Sequence, residues 1–283
     1  MRKSKYLIGA ALALVMSLAV SGIAQGATAQ QFTVVTTPST NLSADGKTPV
    51  ALDVTVDTQF TAGPGAVSQT PSQSVLTFDP NFTLGNVGKL PQCNSASLAN
   101  TNATAADAAC GASAPTGNSQ VGSGSARLCS SLGGCGAASV SAEVRAYNGV
   151  PSGGSPTILL WVRIPVGPGV TSVLTGVLAG KTLTVTVPDT AATGLQLVQF
   201  KTTIPIKQTD PLASSASSSK KKKKKKKKKA ATFYITAKCV GSSGTWTHNI
   251  VTTYRGGGPT VGGTSTQACT GQKPKKKKKK KKK

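Results

Sequence analysis

The chain has 283 residues and a formal charge of +25, with aromatic residues at only 4%. Two uninterrupted runs hold 19 of its 33 basic residues: Lys220, Lys221, Lys222, Lys223, Lys224, Lys225, Lys226, Lys227, Lys228 and Lys229, then Lys275, Lys276, Lys277, Lys278, Lys279, Lys280, Lys281, Lys282 and Lys283. Without these, the basic start and Lys273, the body carries about +2, which excludes a nucleic-acid-binding fold with a basic face, while 31 glycines without a three-residue period exclude a collagen-like chain.

Residues 1–29 have the three parts of a secretory signal. Arg2, Lys3 and Lys5 precede an apolar stretch from Leu7 to Val20, and Ala27-Thr28-Ala29 or Ala24-Gln25-Gly26 offers a cleavage site. The apolar stretch is shorter than the roughly 20 residues of a bilayer span. Nothing downstream is long enough either, so no transmembrane anchor is expected and the mature protein is expected to be secreted, in association with the cell envelope.

After the signal the chain reads as strands. Leu52 to Asp57 and Val140 to Ala146 alternate apolar and polar residues, the second ending at the turn signal Asn148-Gly149. Further strands are expected at Phe32–Thr36, Ser74–Phe78, Thr157–Ile164, Thr171–Leu178, Thr182–Val187, Leu195–Ile204, Ala231–Val240, Trp246–Tyr254 and Thr264–Cys269. Ile158 to Ile164 is almost wholly apolar, as a strand covered on both faces would be. One alanine-rich piece, Asn102 to Ala109, predicts a short helix.

This pattern predicts an all-β fold, an antiparallel β-sandwich of immunoglobulin-like or related type. It is either one large sandwich or two in tandem, divided near Asn148 to Pro156 into β-rich regions 30–150 and 151–272. The lysine-bearing loop 214–230 interrupts the second region, and residues 273–283 form a tail. Like charges within a screening length of about 8 Å repel, so both lysine segments are expected to stay extended and solvated.

Six cysteines, Cys93, Cys110, Cys129, Cys135, Cys239 and Cys269, follow the signal. An even count in an exported chain reads as three disulfides. Sequence neighbours suggest Cys93–Cys110, Cys129–Cys135 and Cys239–Cys269, among 15 possible pairings. With a single histidine and no C-x-x-C, zinc is disfavoured, and no metal or cofactor is expected.

Catalytic groups are scarce. His248 lacks any accompanying nucleophile signature, and a lone histidine in a strand is more often packed than catalytic. Asp53 and Asp57 share a strand face about 13 Å apart, beyond the roughly 5–9.5 Å of glycosidase carboxylate pairs. Ser217-x-x-Lys220 matches a penicillin-binding pattern without its K-T-G or its helix, and Gly122-Ser123-Gly124 lacks the context of a dinucleotide fold. Trp161, Trp246, Tyr147 and Tyr254 suit a sugar-binding platform only if exposed; in apolar strands they more often fill the core. Asn41, Asn81 and Asn102 open glycosylation sequons, of little weight behind a bacterial-looking signal.

The expected function is therefore non-enzymatic: loose retention at the cell envelope through lysine segments that bind anionic polymers or lipid headgroups without specificity. Lysine is a point charge without bidentate geometry, and no aromatics interleave the runs, so sequence-specific nucleic-acid recognition is disfavoured. Passive solvation is the plain alternative for the runs. For the body, the alternative is a carbohydrate- or protein-binding adhesion module using loops or exposed aromatics, with a hydrolase a distant third.

Gly88-Lys89-Leu90-Pro91-Gln92-Cys93, Ala108-Ala109-Cys110, Val121 to Ala126, Ala146-Tyr147-Asn148-Gly149, Pro156 to Leu160, and Tyr234 to Cys239 before Cys269-Thr270 occur in this order ahead of a lysine-rich end. In this the chain resembles a group of secreted actinobacterial proteins of unknown function, over roughly residues 50–272. The resemblance implies an exported, mostly β, disulfide-containing protein with a Leu-Pro-x-Cys to Ala-Ala-Cys pairing, and it implies no activity. Cys129 and Cys135 look like an insertion beyond the group's pattern.

Overall fold

The computed structural model describes residues 28–39, 42–43, 49–62, 70–84, 90–99, 101–130, 139–165, 170–189, 195–205, 235–240, 243–255 and 260–272. Both lysine runs, the first 27 residues and Cys135 lie outside these. The described residues form β1 (Thr28–Thr37), β2 (Leu42–Ser43), β3 (Val50–Ala51), β4 (Asp53–Ala62), β5 (Pro71–Thr77), β6 (Phe82–Leu84), α1 (Ala103–Cys110), β7 (Gln120–Ser130), β8 (Ser139–Ser152), β9 (Ser155–Ile164), β10 (Val170–Ala179), β11 (Thr182–Thr186), β12 (Leu195–Ile204), β13 (Ile235–Ala237), β14 (Ser243–Tyr254) and β15 (Thr260–Gln272), with a 3-10 turn at Ser95–Leu98.

The expectation of a mostly antiparallel β protein holds. Twelve strands make one sheet in the order β1-β4-β12-β7-β8-β9-β10-β11-β5-β14-β15-β2, and β3, β13 and β6 make a second, three-stranded one. Every pairing in the large sheet is antiparallel except β15 with β2. Strands from before and after the stretch Asn148 to Pro156 interleave in it, since β12 lies between β4 and β7 and β5 between β11 and β14.

The two ends of this order are successive pieces of one pass of chain, because β2 follows β1 after four residues. That pass runs beside β15. Val34 N donates to Ser265 Oγ at 2.9 Å, and Thr36 N donates to the side-chain oxygen of Gln267 at 2.8 Å. The Gln267 Nε2 returns a bond to the Thr36 carbonyl at 2.9 Å, so a carboxamide stands in for a strand's main chain. Thr270 N then reaches the Ser39 carbonyl at 3.0 Å, and Gly271 and Gln272 pair with Leu42 and Ser43. The sheet is thereby nearly closed.

Period-two alternation drives the burial. Along β14, Trp246, His248, Ile250, Thr252 and Tyr254 are buried and their neighbours are not. The inner faces of the large sheet and Phe82, Ile235 and Ala237 of the small one contribute to a single hydrophobic cluster. As its composition predicts, β9 is covered on both faces: Ile158, Leu160, Val162 and Ile164 join that cluster, while Leu159 and Trp161 face outward. Over them lie Leu98, Ala106 of α1, and the Cys93–Cys110 disulfide. The helix expected from Asn102 to Ala109 is α1, and Asn102 caps it, its Oδ1 accepting from Ala105 N at 2.8 Å.

Two expectations need correction. Asn148-Gly149 is not a turn: β8 continues to Ser152, and the reversal falls at Gly153 and Gly154, with φ of 56° and 80°. Both are left-handed, as a two-residue hairpin loop requires. Asn148 is fully buried, and its Nδ2 donates to the Pro91 carbonyl at 3.0 Å. Asn148 to Pro156 spans the end of β8, the Gly153-Gly154 reversal and the start of β9, and Asn148 is a polar side chain that holds the Leu90–Pro91 segment. Further, of the strand expected over Ala231–Val240, residues 231–234 lie outside the described residues, and β13 covers Ile235–Ala237 and ends before Lys238.

Candidate functional site

The inner face of the large sheet surrounds a cavity of about 110 Å³. Val54, Val56 and Phe60 of β4, Leu197, Phe200 and Ile204 of β12, Ala146 of β8, Leu160 of β9, Leu174 of β10, Leu183 of β11, Leu76 of β5 and Ile250 of β14 line it, with Ile235 of β13 among the remainder. Three hydroxyl side chains, Thr58, Ser74 and Thr202, share the wall. Ser74 Oγ is bonded to Thr252 Oγ1 at 3.0 Å, whereas Thr202 Oγ1 is buried without a partner. None of these hydroxyls carries a sequence signal, since threonine and serine are common in strands and only the curvature of the sheet brings them to one space.

His248 lies fully buried on the same inner face. Its Nδ1 accepts from the main-chain N–H of Asp79 at 3.3 Å, so the neutral ring carries its proton on Nε2, which is buried without a partner. The rings of Phe82 and Phe78 enclose it at 4.7 and 5.8 Å. The Asp79 carboxylate faces elsewhere, accepting from Thr247 N at 2.8 Å and from Asn81 N and Nδ2 at 2.9 and 2.8 Å. A triad needs the carboxylate on the imidazole N–H; here the aspartate orders main chain instead, and the histidine is the packed residue that its isolation in sequence suggested.

Burial pushes the His248 pKa down from 6.5 to about 4, against the opposing pull of the Asp79 charge. Because the unfolded state then binds a proton that the folded state refuses, stability is full above pH 6.5 and falls as pH drops toward 4. A shift of this size corresponds to about 3 kcal/mol. The denaturant midpoint should therefore decline between pH 7 and 4.5, and His248→Leu should flatten that decline; an equal decline in both proteins would remove the assignment.

The aromatic platform is not formed. Trp161 and Tyr147 are 0% exposed, Trp246 1% and Tyr254 3%. Trp161 donates from Nε1 to Thr101 Oγ1 at 3.1 Å and carries the Arg145 guanidinium 5.5 Å from its ring centre. Arg145 in turn bonds Asp107 at 2.5 Å and Glu143 at 2.6 Å. Burial alone would lower its pKa, but these carboxylates outweigh it and the net shift is upward. This polar knot pins α1 to β8.

Of the other sequence candidates, Asp53 and Asp57 lie half-buried on the outer face of β4, and Asp57 accepts from Gln199 Nε2 at 2.9 Å. The carboxamides of the sequon residues Asn81 and Asn102 are already engaged, by Asp79 and by α1. Ser217 and Asn41 lie outside the described residues. Gly122-Ser123-Gly124 is part of β7, where a Cβ on either glycine would collide with the carbonyls of Thr203 and Lys201 in β12.

The cysteine pairs expected from sequence neighbours are present as Cys93–Cys110 and Cys239–Cys269, with Cα–Cα distances of 5.3 and 5.8 Å. Cys129 is buried and disulfide-bonded; its expected partner, Cys135, is outside the described residues. Disulfides of this kind suit an oxidising, extracellular setting. Among the described residues no helix is long and apolar enough to cross a membrane, and no group of side chains suits a metal ion. Comparison with protein-family models, curated proteins and solved structures returns no match to this chain.

Proposed function

We propose that this is an exported, non-enzymatic protein of the secreted actinobacterial group it resembles, retained at the cell envelope by lysine runs that bind anionic polymers or lipid headgroups. We read its sheet as a β-barrel rather than a sandwich, since β1 and β2 together border both β4 and β15. The observation that carries the function is the division of charge: 19 of 33 basic residues in two runs, on a body of about +2.

Near an anionic membrane each lysine contributes about 1 kcal/mol, and a third of the 19 would give a dissociation constant of tens of micromolar, by roughly 6 kcal/mol. The attachment of the runs strengthens the case. Lys229 stands six residues before β13, and Lys275 three residues after the end of β15. Just beyond β13, Cys239 is bonded to Cys269 of β15, so the described anchor points of the two runs are covalently joined. Two weak contacts that share one rigid base reinforce each other through effective concentration. The body supports a passive role, because its single histidine and nearest aspartate are sealed in the core.

Sedimentation with phosphatidylglycerol vesicles tests this. Binding should fall by more than tenfold between 50 and 500 mM salt, following counterion release, and deletion of both runs should abolish it. Equal binding at the two salt concentrations, or binding that survives the deletion, overturns the proposal.

A further inference from the structure

We propose that the cavity inside the sheet is a binding site for a compact, uncharged, largely apolar molecule that carries one hydrogen-bonding oxygen. Its volume of about 110 Å³ approaches that of the engineered core cavity of about 150 Å³ that stays dry and admits benzene. Strand number explains the space. Around eight strands enclose an interior that side chains just fill, and wider rings enclose more; here the interior is framed by eleven successive strands from β1 to β15.

The wall dictates the chemistry of the guest. Among the described residues, no lysine, arginine, aspartate, glutamate or histidine lines the cavity, so an ionised guest would lose its hydration and gain no counter-charge there. Scaled from benzene's six non-hydrogen atoms in about 150 Å³, the roughly 110 Å³ here takes a guest of about four or five. Beside Thr58, the wall presents Thr202, 8% exposed, whose buried Oγ1 has no partner. A buried hydroxyl without a partner is unfavourable. Water suits the space poorly, because a buried water needs two to four polar partners, and on this otherwise apolar wall the described hydroxyls are Thr202, Thr58 and Ser74, the last already committed to Thr252. An oxygen on an otherwise apolar guest would satisfy Thr202 while its hydrocarbon body fills the rest. This site is independent of the lysine runs, and the vesicle experiment does not bear on it.

The test titrates tert-butanol, isobutane and tert-butylammonium into the oxidised full-length protein and follows its methyl resonances. Both neutral probes should bind saturably and move the methyls of Leu160, Leu174 and Ile250 while leaving the outward Leu159 unmoved; the ammonium should not bind. Thr202→Val keeps the side-chain shape and removes the hydroxyl. It should weaken tert-butanol by about fivefold, the worth of one hydrogen bond, and leave isobutane unchanged or tighter, so that the two probes close a double-mutant cycle. Ala146→Leu should exclude both; if that variant does not fold, the methyl map on the unaltered protein decides the location. Absence of saturable shifts, shifts shared equally by Leu159, or an equal loss of both neutral probes in Thr202→Val overturns the proposal.

Discussion

Replacing Trp161 by alanine is expected to lower the unfolding free energy by about 4 kcal/mol, in the range of fully buried Trp-to-Ala changes. The indole is 0% exposed, fills the second hydrophobic cluster and bonds Thr101. Its loss also takes the aromatic face from Arg145, an interaction of roughly 1 kcal/mol, and leaves the cover formed by Leu98 and α1 resting on a void. For a chain of this size the melting temperature should fall by about 12 °C. Denaturant unfolding followed by circular dichroism measures the change, and Trp161→Phe should recover more than half of it. A loss below about 1 kcal/mol would mean that α1 and the 3-10 turn do not seal β9 as described.

The second large effect is expected from removing the Cys239–Cys269 bridge by changing both residues to alanine. Its 30-residue separation gives about 3.5 kcal/mol of chain-entropy stabilisation, and both sulfurs lie in the core, at 0% and 1% exposure. The bridge joins β15 to the segment following β13, which donates Ile235 to the cavity wall. A melting temperature lowered by about 10 °C, with the far-ultraviolet spectrum of the β-sheet retained at 20 °C, is the expected outcome. An unchanged melting temperature would assign the cross-link no part in holding the small sheet.

Much of this architecture is legible in the residues. The alternation of Leu52 to Asp57 and of Val140 to Ala146 locates β4 and β8, and the unbroken apolar run from Ile158 marks the strand buried on two faces. The alanine-rich piece from Asn102 to Ala109 marks α1. Legibility fails where a residue's role depends on a distant partner. β7 is hidden because Gly122 and Gly124 look like loop, yet they are small so that β12 can approach. Asn148 looks like a turn and is instead the clamp on Pro91. The cavity has no signature at all, because Thr202, Ala146 and Leu174 converge only once the sheet curls. The contact of β1 with β15 is hidden for the same reason: Ser265 and Gln267 are ordinary polar residues until β1 lies beside them.

That seam has a consequence for biogenesis. During synthesis Val34 leaves the ribosome 231 residues ahead of Ser265, the side chain that receives its amide hydrogen. Every other described strand is made in between, so this seam of the nearly closed sheet must wait until β15 emerges. Such non-local pairing makes folding slow and leaves unpaired edges exposed meanwhile. A nascent chain halted before Thr260 should therefore stay an open ribbon, vulnerable to proteases and in want of a chaperone, however many of its antiparallel hairpins have already formed.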